Sequence, residues 1–154
     1  MTTYYLDTSA LSKRYVQEIG TVWVRTLVAP TAGHTLLTAR LTMVEVYSAL
    51  ARRQREGSVP VADYAIAAQA FTIHSATEYE FVELDLKVIT LARDLLERHP
   101  LRAYDAVQLA SALIANQALQ AAPLPPLIFL SADDRLNLVA ATEGLTVDNP
   151  NLHP

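Results

Sequence analysis

The stretch Tyr4-Tyr5-Leu6-Asp7-Thr8-Ser9-Ala10-Leu11 decides how the rest of the chain reads. Tyr4–Asp7 is a short apolar run ending in a carboxylate, the pattern of a strand covered on both faces. A helical turn through Ser9–Tyr15 follows at once. Working outward, the same alternation recurs. Thr21–Ala29 is helical and stops at Pro30, and Thr35–Thr38 is a second short strand. Thr42–Glu56 is a long helix, with Met43, Val46, Tyr47 and Leu50 on one face and Gly57 past its end. Pro60 opens a helix through Ser75, and Tyr79–Leu84 is a third strand. Asp85 caps a helix that runs to Arg98, and Asp105 opens another, Ala106–Leu119. Beyond the proline-containing loop Ala121–Pro126 come a strand at Leu127–Leu130, a helix at Asp133–Glu143 and a short strand at Leu145–Val147. Short apolar strands alternating with helices predict one α/β domain over residues 1–154, a parallel sheet of about five strands with helices on both faces.

Composition narrows the function classes. Of the 154 residues, 51% are hydrophobic and 18% charged, which describes a folded chain and not a disordered one. The modest charge hints at apolar surface covered by a partner. With no cysteine, disulfides, thiolate nucleophiles and thiolate metal sites are excluded, and a reducing cytoplasm is the expected location. No stretch is long and apolar enough for a bilayer, and the first residues do not form a signal peptide. The net charge of −4 argues against coating nucleic acid by bulk electrostatics. The basic residues are nevertheless mostly arginine, with Lys13 and Lys87 the only lysines, a choice suited to phosphate or to ion pairs.

In an open parallel sheet, ligands bind beyond the carboxyl ends of the strands. Four carboxylates map to that rim: Asp7 after the first strand, Glu45 in the first turn after the second, Asp105 at a helix start, and Asp133 after the fourth strand. Each has a structural alternative. Asp7 suits a helix N-cap, and Asp105 with Gln108 resembles a capping box. Ser131 with Asp134 fits the capping pattern better still, so Asp134 is the expected cap residue and Asp133 the expected functional one. Glu45, flanked by Val44 and Val46, calls for a partner. Crowded carboxylates repel unless a cation neutralises them, and hard oxygen donors select Mg²⁺ or Mn²⁺. Such an ion supports hydrolysis of a phosphodiester.

At these residues the chain resembles a known family. Tyr5-Leu6-Asp7-Thr8-Ser9-Ala10-Leu11, Val44-Glu45-Val46, Tyr104-Asp105-Ala106-Val107-Gln108-Leu109-Ala110 and Leu130-Ser131-Ala132-Asp133 look like the four acidic motifs of PIN domains, in order and across the whole chain. The likeness is strongest to the VapC ribonuclease toxins of toxin–antitoxin pairs. It implies an RNA-cleaving endoribonuclease requiring Mg²⁺ or Mn²⁺, a homodimer, and a VapB-like antitoxin that covers the acidic site. It also implies that Asp7, Asp105 and Asp133 hold metal, that Glu45 assists, and that Ser9 and Ser131 support the site. Gln108 departs from the pattern, standing where relatives frequently carry His.

Outside the motifs, His34, His74, His99 and His153 form no ligand pair, which counts against a metal-free ribonuclease using His as acid and base. The run Arg52-Arg53-Gln54-Arg55 reads either as a solvated helix end or as a phosphate-tracking stripe, with Lys13, Arg14 and Arg102 as possible additions. Trp23 and the seven tyrosines show no interleaving with basic residues and read as core or interface. A dehalogenase-like phosphatase would need Asp where Ser9 stands, and that reading and a phosphoacceptor receiver both lack the late lysine. The surviving alternatives are an RNA-processing nuclease without antitoxin and a non-catalytic RNA- or protein-binding module. The Thr42–Glu56 and Pro60–Ser75 helices, with Tyr64 and Phe71, form the expected partner groove.

Overall fold

Tyr5 and Leu6 are neighbours on strand β1 (Thr3–Leu6), yet they enter two different cores. Successive side chains on a strand face opposite ways, so a strand apolar at consecutive positions needs a helical layer on each side. The computed structural model, which describes residues 1–154, shows both layers. Strands β2 (Thr35–Ala39), β3 (Glu80–Val82), β4 (Ile128–Leu130) and β5 (Thr146–Asp148) join β1 in one sheet of order β3-β2-β1-β4-β5, parallel throughout.

One face is covered by α1 (Thr8–Leu11), α2 (Thr21–Leu27), α3 (Thr42–Arg55) and α4 (Val61–Thr77), whose Leu11, Val24, Leu50 and Phe71 pack with Leu6, Leu36 and Leu130. The other is covered by α5 (Leu86–Arg98), α6 (Ala103–Ala121) and α7 (Asp134–Thr142), whose Leu95, Leu109 and Leu136 pack with Tyr5 and Phe129. Each parallel connection is a crossover through helix, as parallel pairing requires. Short 3-10 turns at Ser12–Arg14, Pro30–Ala32 and Pro150–Leu152 complete the path.

The expected five-stranded parallel sheet is therefore present, with differences at element ends. Helix α6 begins at Ala103, two residues before Asp105, because Arg102 in extended conformation is its N-cap. Strand β3 is shorter than Tyr79–Leu84, since it lies at the sheet edge and pairs only through Glu80–Val82. The last turn holds Gly20 in a left-handed conformation, and a Cβ there would lie 2.2 Å from the Pro150 carbonyl oxygen. Only glycine fits that approach.

Strand order reverses between β1 and β4. The residues that follow these two strands, Asp7 and Ser131, therefore flank the switch point where an open parallel sheet places its ligand site.

Candidate active site

Asp7 leaves β1 with its backbone N–H still bonded to the Leu130 carbonyl (3.0 Å), so β4 fixes its position. Its carboxylate is 5% exposed and accepts three hydrogen bonds. Ser9 Oγ (2.7 Å) and the Ala10 N–H (3.0 Å) donate to Oδ1, and Ser131 Oγ donates to Oδ2 (3.0 Å). Asp7 is thus the N-cap of α1 and also a site residue. Burial raises its pKa to about 6, against the three hydrogen bonds that favour the charged form, and the nearby Glu45 adds to the rise. Ser9 Oγ also accepts the Ala132 N–H (2.8 Å) and Ser131 Oγ the Asp133 N–H (3.1 Å), tying the β4 loop to Asp7.

Glu45 rises from the first turn of α3, and its Oε1 accepts from Thr8 Oγ1 (3.0 Å) and Gln108 Nε2 (2.7 Å). Gln108 is 2% exposed. Its amide is oriented by chemistry: a carboxylate only accepts, so Nε2 faces Glu45, and Oε1 must then accept from the Tyr5 hydroxyl (2.8 Å). Nε2 also approaches Thr42 Oγ1 at 2.9 Å. Tyr5, Thr42 and Gln108 thus form a buried polar chain ending on Glu45. Sequence reasoning offered Gln108 as the cap partner of Asp105. The structure overturns that pairing, because Asp105 lies inside α6 and its N-cap, Arg102, makes no side-chain cap bond. The available signal was spacing, since Thr42 precedes Glu45 by three residues and Gln108 follows Asp105 by three, one helical turn each.

Asp105 is half-buried, and its pKa is raised by desolvation and then by Asp133, while Arg102 opposes the rise. Asp133 is exposed, and its Oδ1 accepts the Arg135 (2.9 Å) and Leu136 (3.3 Å) N–H groups. The expectation that Asp134 caps α7 is therefore corrected. Asp133 is the cap, and Asp134 instead accepts from Asn149 Nδ2 (2.6 Å).

Within the acidic rim Glu45 lies close enough to Asp7, and Asp133 close enough to Asp105, for its charge to raise the neighbour's pKa. None of the four carboxylates has a cationic side chain within ion-pair distance. No three of them converge closely enough to hold one ion among themselves. The donor set still suits Mg²⁺ or Mn²⁺, which bind through one or two carboxylates and keep several waters. A cleft of about 510 Å³ opens between the first turns of α3 and α6. Glu45 and Asp105 line it, together with Arg52, Arg102, Val44 and Tyr104.

The basic residues divide. Arg52 and Arg102 are exposed and line that cleft. Arg55 is exposed on the last turn of α3, away from it. Lys13, Arg14 and Arg53 are engaged within the fold, which corrects their reading as phosphate contacts. Lys13 Nζ is held by Glu18 (3.1 Å) and the Ile19 carbonyl (2.9 Å), and Arg53 pairs with the same Glu18. Arg14 donates to Glu78 (2.7 Å) and the Tyr79 hydroxyl (2.7 Å). Phe71 is fully buried in the core, so it cannot belong to a partner groove; the apolar residues that α4 exposes are Val61, Ile66 and Ile73. The four histidines lie in contacts outside the rim, as expected: His34 on Tyr4, His74 near Arg14, His99 on Glu143 and His153 on Asp148.

An all-parallel α/β sheet with carboxylates gathered beyond its switch point defines a class of domain, and a PIN-domain profile matches residues 4–141. The chain belongs to the PIN domain family. No curated protein matches it. Solved structures similar to it include VapBC2 from Rickettsia felis bound to a DNA fragment from its promoter, at 12% identity and TM-score 0.62, covering 96% of this chain and 98% of that one. VapC20 of Mycobacterium tuberculosis, described as a Sarcin-Ricin loop cleaving toxin, is similar at 15% identity and TM-score 0.62, covering 98% and 99%. FitAcB from Neisseria gonorrhoeae is similar at 18% identity and TM-score 0.60, covering 96% and 97%. No helix of the chain is long and apolar enough to cross a membrane.

Proposed function

We propose that this PIN domain is a metal-dependent endoribonuclease that cleaves RNA and is the toxin of a toxin–antitoxin pair. The observation that carries the reading is the rim itself: four carboxylates, none of them in an ion pair, beside a cleft that Arg52 and Arg102 also line. Uncompensated negative charge at a ligand-binding switch point calls for a cation, and oxygen donors make that cation hard. Asp7 and Glu45, with Asp105 and Asp133, are the residues that would hold it. A bound Mg²⁺ or Mn²⁺ would supply Lewis acidity toward a phosphodiester and lower the pKa of water. Around it, Ser9 and Ser131 orient Asp7, Gln108 and Thr8 orient Glu45, and Arg52 and Arg102 attract the RNA backbone.

The toxin assignment is supported by similarity to VapBC and FitAcB structures and by the exposed Ile66 and Ile73, seven residues apart on one face of α4, which suit an antitoxin segment. A homodimer and a cytoplasmic location belong to the same proposal. Incubation of purified protein with single-stranded RNA, with and without Mg²⁺ or Mn²⁺, tests the reading. Metal-dependent cleavage that Asp7→Asn abolishes is expected. No cleavage by folded, partner-free protein with either metal would favour the binding-module alternative. Ile66→Glu should weaken antitoxin capture without altering cleavage, and unchanged capture would move the partner surface elsewhere.

A further inference from the structure

Beyond β5 the turn Asn149–His153 reaches back to the loop that carries Asp133. Its far end is seated on α2. There the His153 ring stacks on Trp23, with centroids 4.0 Å apart and planes 6° from parallel, and its Nε2 donates to the Asp148 carboxylate (2.9 Å). Its near end is Asn149, 5% exposed, whose side-chain amide is engaged at both ends. Oδ1 accepts the Asn151 N–H (2.8 Å), and Nδ2 donates to Asp134 Oδ1 (2.6 Å). Asn151 Nδ2 in turn donates to the Ala132 carbonyl (3.3 Å), and from α7 Asn137 Nδ2 donates to the Ser131 carbonyl (2.8 Å). Three asparagine amides therefore hold Ser131, Ala132 and Asp134, the neighbours of Asp133 on both sides, and leave its carboxylate to the α7 amides.

We propose that this turn is a clamp that sets the place of Asp133 in the acidic rim, with Asn149 and Asn151 as positioning residues for the cation site. The inference rests on the nuclease reading, in which Asp133 holds metal, and adds to that site residues from outside the four acidic motifs. Asp133 is exposed, and no other rim residue holds its side chain. A metal ligand has to be kept within about 0.5 Å of its working place, so the loop beneath it must be fixed from elsewhere. Asn149 also settles which of two adjacent carboxylates takes the α7 amides. By engaging Asp134 it leaves them to Asp133. The amide is neutral and does this without adding positive charge. A lysine or arginine at position 149 would match Asp134 as well, but its charge would weaken the field that draws a cation.

Calorimetric titration of Mn²⁺ into the folded protein reads the placement of Asp133 without any substrate. Asn149→Ala should weaken Mn²⁺ binding by roughly 10- to 100-fold, the range for a residue that orients a metal ligand. Asn151→Ala, which gives up one long bond, should weaken it less. Asn149→Asp sets carboxylate against carboxylate and should be at least as harmful as alanine. Combining it with Asp134→Asn restores the hydrogen bond with the roles exchanged, and the affinity should return. Circular dichroism confirms that each variant is folded, and the emission of Trp23, the only tryptophan, confirms that the far end of the turn stays seated. Asn149→Ser, which keeps an oxygen for the Asn151 N–H but is too short to reach Asp134, repeats the test should the alanine variant not fold. The positioning role is overturned if the Asn149 variants bind Mn²⁺ within twofold of wild type, or if the exchanged pair recovers none of the lost affinity. Either result beside metal-dependent cleavage by the wild-type chain would leave the nuclease reading standing. A folded wild type that neither binds Mn²⁺ nor cleaves RNA would sink both.

Discussion

At the rim Asp7, Glu45, Asp105 and Asp133 form no ion pair, whereas around Arg14, between the Ser12–Arg14 turn and the end of α4, the charges are matched. There Arg14 pairs with Glu78, the Tyr15 and Tyr79 hydroxyls share a hydrogen bond, and Tyr15 also bonds His74 Nδ1 (2.9 Å). The His74 pKa is lowered by burial and then by Arg14, against the opposing pull of Glu78. Both clusters are polar networks built from sequence-distant positions, the rim buried at Asp7 and open at Asp133. One is closed and one is open. That contrast supports the proposal that the rim takes a cation.

Asp7→Asn breaks the contrast hardest. Asparagine keeps the Oδ1 acceptor and the cap, and its amide can donate to Ser131, while the charge is gone. On the proposed reading, in which Asp7 holds metal, cleavage should fall by at least 100-fold, measured as kcat/KM at fixed Mn²⁺. Metal-free stability should move the other way. Folding raises the Asp7 pKa from about 3.9 in the unfolded chain to about 6. Between those values the folded chain holds more protons, so stability is greatest below the lower one and is lost as pH rises through the upper. Removing the charge should therefore stabilise the metal-free protein by about 2–3 kcal/mol at pH 8 and by almost nothing at pH 3.5. Denaturant titrations at the two pH values check this. Equal effects at both would mean that the carboxylate carries no burial penalty.

Arg14→Met probes the closed cluster. With the pair only 11% and 21% exposed, stranding Glu78 should cost about 2–4 kcal/mol, since an uncompensated charge remains. Cleavage per folded molecule should not change. A loss of turnover at full folding would tie this cluster to the site and undo the contrast.

Gln108→Leu lies between these cases, because Gln108 belongs to the core and touches the site. Stranding the Tyr5 hydroxyl should cost about 1–3 kcal/mol. Loss of the amide that orients Glu45 should lower kcat about tenfold, the usual scale for a residue supporting a ligand, with KM little changed. A pure stability effect would make Gln108 structural only. The smallest effect belongs to Arg55→Gln, within about 0.5 kcal/mol in stability and indistinguishable from wild type in RNA affinity, whereas Arg52→Gln should weaken that affinity measurably. Equal losses from both would restore the whole run Arg52–Arg55 as a phosphate stripe.

The alternation of strands and helices, the end of α5 before Pro100 and the placement of carboxylates past strand ends were all legible in the sequence. They rest on periodicities and caps that involve residues within a turn or two of each other. The structure alone decided which carboxylate faces which, that Gln108 holds Glu45 from 63 positions away, and that Ser131 reaches Asp7 across 124. It also decided which basic residues are free: Arg14 reads as a surface charge until Glu78, 64 residues on, is brought against it. Strand order, which creates the switch point between β1 and β4, is equally nonlocal. Local spacing names a side chain and its face of a helix or strand. Whether its charge is matched or left open depends on atoms that only the folded chain brings within a few ångströms.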